Sequence, residues 1–241
     1  IASCLVGSEM CIRDRPQSLH FSSAQEQASS AEVFRSHPDV HICVRDEVSL
    51  QMAQAFSNHV YLLPDMAHQL YPMRARYKRQ SQHGLRISRV DDEGGAHVDT
   101  AGLDIDTVTD WPEFVGEREA HINLFRRGLG GFYRRGMGRA ANRILVRLWI
   151  AYSARLVKDA ARLFARHEFI VTDRLHGHIL ACLLNRKNIV LDNSYGKNSR
   201  YVAAWTQRSE LVTLEQAPAT QAQEPPSQTR IKAAGQLAAI I

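Results

Sequence analysis

Short apolar runs rich in β-branched residues alternate along this chain with stretches of helical periodicity, and few folds accommodate that rhythm. The first run is Val40-His41-Ile42-Cys43-Val44-Arg45. Asp46 then stands where a helix cap belongs, and Val48, Met52, Ala55 and Phe56 follow at helical spacing, so a helix is expected over Glu47–Ser57. Val60–Leu63 is the next run, closed by Pro64-Asp65. Strand, helix and strand in this order build a parallel sheet.

A polar helix is expected before this unit, over Ala24–Phe34, and a longer series follows it. Leu85–Val90 and Asp104–Thr109 read as strands. Residues 126–140 are rich in Gly and Arg, and Ala141–Arg166 reads as one amphipathic helix. Leu145, Leu148, Tyr152, Leu156, Leu163 and Phe164 form its apolar face. Phe169–Thr172 is a strand, Gly177–Leu184 an apolar helix, Ile189–Leu191 a strand and Tyr201–Trp205 a short helix. After Glu215 the composition turns to Ala, Gln, Pro, Ser and Thr, which predicts a flexible tail over 215–241. Residues 1–15, which run through Cys4-Leu5-Val6-Gly7-Ser8-Glu9-Met10, resemble a translated sequencing adapter and are set aside. The expectation is an α/β chain with a partial domain over 16–75 and a fuller one over 84–214. A site would then lie in the cleft between them, at the C-terminal ends of the strands.

Bulk properties narrow the function less. Apolar residues at 44% and charged residues at 23% are ordinary for a globular protein, and a net charge of +5 suits anionic ligands without selecting one. Cys43 and Cys182 sit in apolar runs and read as buried free thiols, which points to a reducing compartment. The most apolar stretch, Ile144 to Ile150, is interrupted by Arg147, so no membrane-spanning helix is expected.

The segment Ile170-Val171-Thr172-Asp173-Arg174-Leu175-His176-Gly177-His178-Ile179 carries the chemistry. A buried strand ends in a polar turn and a helix starts at once, leaving free backbone N–H groups that attract an anion. Arg174 and His176 add side chains at the same spot, and Gly177 would let a ligand approach the backbone. The same residues also fit a surface turn in which Asp173 caps the helix and pairs with Arg174. His176 and His178, two apart on a helix, point away from each other and cannot share a metal ion. Asn193 and Ser194, with Lys197 in the run Leu191–Asn198, lie past the next strand and suit phosphate or sugar hydroxyls. Arg45 and Arg89 sit at two further strand ends. Four cations (Arg45, Arg89, Arg174 and Lys197) at one sheet edge suggest a multiply charged anion. Asp99, Asp104, Asp106 and Asp110 are dense but read as solvated rather than as a cation site. Trp111-Pro112 either stacks on a sugar or closes a turn.

Taken in order, Pro16-Gln17-Ser18, Val44-Arg45-Asp46-Glu47-Val48-Ser49, Pro64-Asp65-Met66-Ala67, Arg89-Val90-Asp91-Asp92-Glu93, Thr172–His178 and Leu191–Asn198 resemble the polysaccharide pyruvyl transferase family, bacterial exopolysaccharide type. The likeness covers residues 16–206 and leaves out the family's glycine-rich N-terminal half-domain, as expected of an N-terminally truncated fragment. The resemblance implies two Rossmann-like domains in a GT-B-like arrangement, the first incomplete. It implies phosphoenolpyruvate as donor, a saccharide or its lipid-linked form as acceptor, no metal or other cofactor, and a cytoplasmic location at or near the inner membrane face. By the same resemblance His176 is catalytic, and Arg45, Arg174, Leu175, Arg89 and Lys197 hold the donor. Asp65, Asp173, Asn193 and Ser194 support it or meet the acceptor. Two other classes share these features. A nucleotide-sugar glycosyltransferase of GT-B type would bind a donor pyrophosphate at a similar helix end. A binding module could instead use the basic stretch Arg126–Arg139 on nucleic acid or a membrane; nucleic acid is not expected.

Overall fold

The computed structural model describes residues 16–37, 39–71, 73, 81–88, 102–116, 138–192 and 196–215. The expectations for Arg89, Asn193, Ser194, Asp99, the tail and most of the Gly/Arg-rich segment lie outside those residues.

Two parallel sheets organise the chain. In the first, β1 (His41–Val44) pairs with β2 (His59–Leu62), His41 opposite His59 and Val44 opposite Leu62. Gln17 adds a parallel bridge on the other side of Val44, its carbonyl accepting from the Arg45 amide at 3.2 Å. Helix α1 (Ala24–Arg35) is capped by Ser23, and Phe34 stacks on the buried Phe56. Asp46 caps α2 (Glu47–Ala53) by accepting from the Ser49 amide at 2.8 Å. This helix stops at Ala53 rather than Ser57. The amides of Ala55 and Phe56 turn to carbonyls three residues back, which tightens the chain.

The second sheet has five strands in the order β4-β3-β5-β6-β7, all parallel. They are β3 (Gly84–Ile87), β4 (Ile105–Thr109), β5 (Phe169–Thr172), β6 (Lys187–Leu191) and β7 (Val212–Glu215). The central β5 has Ile170, Val171 and Thr172 fully buried, the two-faced burial that a parallel sheet under helices requires. β7 was not foreseen; its four residues merge with the polar tail in composition and only pairing to β6 defines them. The chain leaves β3 for one side and resumes at β5 on the other, so the topological switch point, where open α/β sheets bind ligands, falls between the C-terminal ends of these two strands.

Helix α3 (Trp111–Val115) starts at Asp110, and the long α4 (Gly138–Arg166) leads into β5. Among the described side chains of α4, those of the last turns reach the core, where Ala160, Ala161 and Phe164 pack on Leu85, Ile87 and Ile170. Earlier, Ile144, Leu148 and Ile150 are exposed, Leu148 by 54%. Periodicity placed Leu148 on the core face, but a 29-residue helix runs roughly 43 Å. Strands of four or five residues span only about 13–17 Å beneath it. Trp111 stacks on Phe164 with centroids 5.9 Å apart, so it belongs to the core rather than to a sugar site.

Helix α5 (Leu175–Leu183) packs so closely on β5 that a Cβ at Gly177 would lie 2.6 Å from Thr172 Oγ1. Gly177 is thus needed for helix–strand contact, not for ligand approach. Helix α6 (Lys197–Tyr201) begins at Gly196, in the left-handed region with φ 67°, and runs into a π turn over Val202–Thr206. That helix starts earlier than expected and draws Lys197 and Asn198 out of the loop. The sheets meet through Ile179, Leu183 and Tyr201, against which Ala67, Met73, Leu175 and Trp205 pack. Among the described residues no helix is long and apolar enough to cross a membrane.

Candidate active site

Because every strand is parallel, the residues that follow β1, β2, β4, β5 and β6 emerge at C-terminal ends. Arg45 follows β1 and Asp65 follows β2, so they face each other across one pairing step. Arg45 Nη1 donates to Asp65 Oδ2 at 2.9 Å and its Nε donates to Ser18 Oγ at 3.0 Å. Both side chains are 12% exposed. The chain around them is clasped by the second unit: the Trp205 indole N–H donates to the Arg45 carbonyl at 2.9 Å, and the Asp65 amide donates to the Tyr201 hydroxyl at 3.2 Å.

His176 reaches this pair from α5. Its Nε2 lies 3.7 Å from Asp65 Oδ2, and the side chain is half exposed. Burial works against ionisation of Asp65. The approach of His176, the Ala67 amide and the Arg45 guanidinium outweigh it and hold the carboxyl well below the usual carboxylate range. The site therefore keeps a fixed negative charge between two basic groups from different sheets.

Arg174 turns elsewhere. Its Nε and Nη2 grip Asp110 Oδ1 and Oδ2 at 2.9 and 2.5 Å, a forked pair in which Asp110 is 3% exposed. Asp110 also accepts from the Trp111 amide, so one carboxylate caps α3 and orients Arg174. Asp173 does not cap α5; Arg174 occupies that position with no side-chain cap. Instead the Asp173 carbonyl accepts from Asn198 Nδ2 at 2.7 Å, and the same amide donates to the Leu191 carbonyl at 2.8 Å. This ties the β5–α5 turn to the end of β6. Leu175 opens the helix with its side chain packed at the sheet–sheet contact, and Lys197 opens α6, half-buried.

A family model described as polysaccharide pyruvyl transferase matches residues 16–195. The chain belongs to this family. A curated pyruvyl transferase relative, the putative pyruvyl transferase EpsO of Bacillus subtilis, is 36% identical over 79% of this chain and 58% of its own length. Pyruvyl transferase 1 of Schizosaccharomyces pombe is 25% identical over 79% of this chain and 45% of its own length. The chain thus spans about half the length of these curated relatives. A functionally uncharacterised protein from Klebsiella pneumoniae shares 17% identity, covering 78% of this chain and 59% of that one, at a TM-score of 0.41. A likeness that loose adds nothing to the fold.

Within this family member, then, Arg45, Asp65 and His176 are brought together, while Arg174 is paired with Asp110. Sequence reasoning did not find Asp110 as the partner of Arg174, nor Tyr201, Trp205 and Asn198 as supports. A strand-end aspartate before Trp-Pro was the one visible signal. The pairing itself spans 64 residues and has no local signature. His178, by contrast, faces inward, between Asn188 Oδ1 at 2.7 Å and Thr206 Oγ1 at 3.0 Å. Asp104 and Asp106 pair with His83 and His167, and among the described residues no three His, Cys, Asp or Glu side chains cluster as a metal site.

Proposed function

We propose that the full-length protein transfers pyruvate from phosphoenolpyruvate to two hydroxyls of a saccharide as a ketal, releasing phosphate. The family match supports the reaction class, and the meeting of Arg45 and His176 at Asp65 beside the start of α5 supports the location. The proposed frame is a pair of Rossmann-like domains, 16–75 and 84–214, arranged as in GT-B enzymes with the cleft between them.

Phosphoenolpyruvate carries a carboxylate and a phosphate on three carbons. Arg45 and Arg174 are each oriented by a carboxylate, and the guanidinium group is the side chain best suited to both anions. Those carboxylates neutralise much of the guanidinium charge. The net attraction for the anion then comes from Lys197, the amides that open α5, and His176 when protonated. In the proposed step His176 delivers a proton to the enol CH2 carbon, which becomes the methyl group. The adjacent carbon becomes an oxocarbenium ion, one sugar hydroxyl adds to it, phosphate leaves with its bond pair, and the neighbouring hydroxyl closes the ketal. The two hydroxyl protons re-protonate His176 and the phosphate, so the step balances with no metal or other cofactor. An exopolysaccharide or its lipid-linked precursor is the proposed acceptor, met in the cytoplasm at the inner membrane face.

Thermal stabilisation tests the donor. Phosphoenolpyruvate at about 100 times its Kd should stabilise the full-length protein by about 2.7 kcal/mol, and UDP- or GDP-sugars should not. Stabilisation by a nucleotide sugar alone would replace this reading with a glycosyltransferase.

A further inference from the structure

His176 and Asp65 come from different sheets, and their contact does more than close the interface. We propose that Asp65 is the positioning residue for His176: its carboxylate takes the Nε2–H of the imidazole and leaves Nδ1 as the nitrogen turned to substrate. This rests on the reading of His176 as the group that protonates the donor.

Three observations carry it. The nitrogen facing Asp65 Oδ2 is Nε2, at 3.7 Å, a gap that one small side-chain rotation closes and that catalytic contacts commonly show before substrate binds. Asp65 is itself immobilised at every polar atom on that side. Oδ2 accepts from Arg45, Oδ1 accepts from the Ala67 amide at 3.0 Å, and the Asp65 amide donates to Tyr201. The Asp65 side chain is 12% exposed whereas that of His176 is 50% exposed, so the fixed partner is the carboxylate and the ring is the part that must be aimed. Among the described residues, Arg45 and His68 from the first unit and Tyr201 from the second interact with Asp65. Tyr201 is pushed up by burial and stays a neutral phenol, and His68 is pushed down by burial and stays a neutral imidazole. Among the described residues, Asp65 is the carboxylate that the His176 ring meets.

The test follows the His176 ring by nitrogen-resolved NMR in the full-length protein, with phosphate release measured alongside. Wild-type His176 should show a neutral tautomer protonated at Nε2. In Asp65→Asn, whose neutral amide can accept or donate, that tautomer preference should weaken and phosphate release should fall with it, and Asp65→Glu should restore part of both. An unchanged tautomer ratio in Asp65→Asn, or a wild-type ring protonated at Nδ1, would overturn the proposal. The tautomer measurement needs no variant, so it decides the matter even if Asp65→Asn does not fold. If the tautomer is the Nε2-protonated one but wild type releases no phosphate from phosphoenolpyruvate, the donor reading fails and the Asp65–His176 coupling stands.

Discussion

Asp110 meets two needs with one carboxylate: it caps α3 and it holds the Nε–Nη2 edge of Arg174. At 3% exposure it cannot hand either task to water. Replacing it by Ala leaves a mostly buried guanidinium without this counter-ion, and breaking such a pair typically costs about 3–5 kcal/mol. Denaturant unfolding of Asp110→Ala should show a loss of that size, and a cost below about 1 kcal/mol would mean the pair is solvent-screened. Removing both partners should cost less than the two single changes added together. Strand-end arginines are easy to recognise in a sequence. Their partners are not, because Arg45 and Arg174 meet carboxylates 20 and 64 residues away.

Among the elements, the β5–α5 turn shows how local rules and packing combine. Ile170–Thr172 is legible as a buried strand because it is apolar and β-branched, and the following helix because it is apolar throughout. What the pattern could not show is the role of Gly177, since a ligand-facing and a strand-facing glycine look the same in one dimension. The clash of a Cβ with buried Thr172 predicts that Gly177→Ala destabilises by about 1–3 kcal/mol despite the better helix propensity of alanine. A neutral or stabilising effect in a melting experiment would show that α5 can shift away from β5. Helix α4 makes the complementary point. Its period was readable along its length, but which turns are covered depends on the length of the sheet beneath, which no periodicity encodes.

For the molecule as a whole, two sheets are tied by buried polar groups whose charge states are set by burial. His178 is fully buried in β6–α5 packing, and burial pushes its pKa down, as it does for half-buried His68. The sign follows from linkage. An unfolded chain protonates these rings near pH 6.5 while the folded protein resists, so the unfolded state binds more protons as the pH falls. Stability should be flat above about pH 7 and should decline from about pH 6.5 downward. Melting temperatures between about pH 7.5 and 5.5 should show this slope, and His178→Gln should reduce it; an unchanged slope would place the effect elsewhere. Asp65 works in the opposite sense and a different window, since its depressed pKa adds stability that is lost only in acid below about pH 4. The parallel α/β character was legible from alternation alone. The union of the two sheets at Asp65, Tyr201 and Trp205 was not, because it depends on how two separately readable units dock.

The central claim is that cationic groups from both sheets converge on one phosphoenolpyruvate, with His176 supplying the proton. Phosphate release from phosphoenolpyruvate by the full-length protein, with saccharide acceptor present, tests it most directly. His176→Ala should lose on the order of 100- to 10,000-fold in rate, with Arg45→Ala and Arg174→Ala also strongly impaired. Near-normal turnover in His176→Ala would contradict the account.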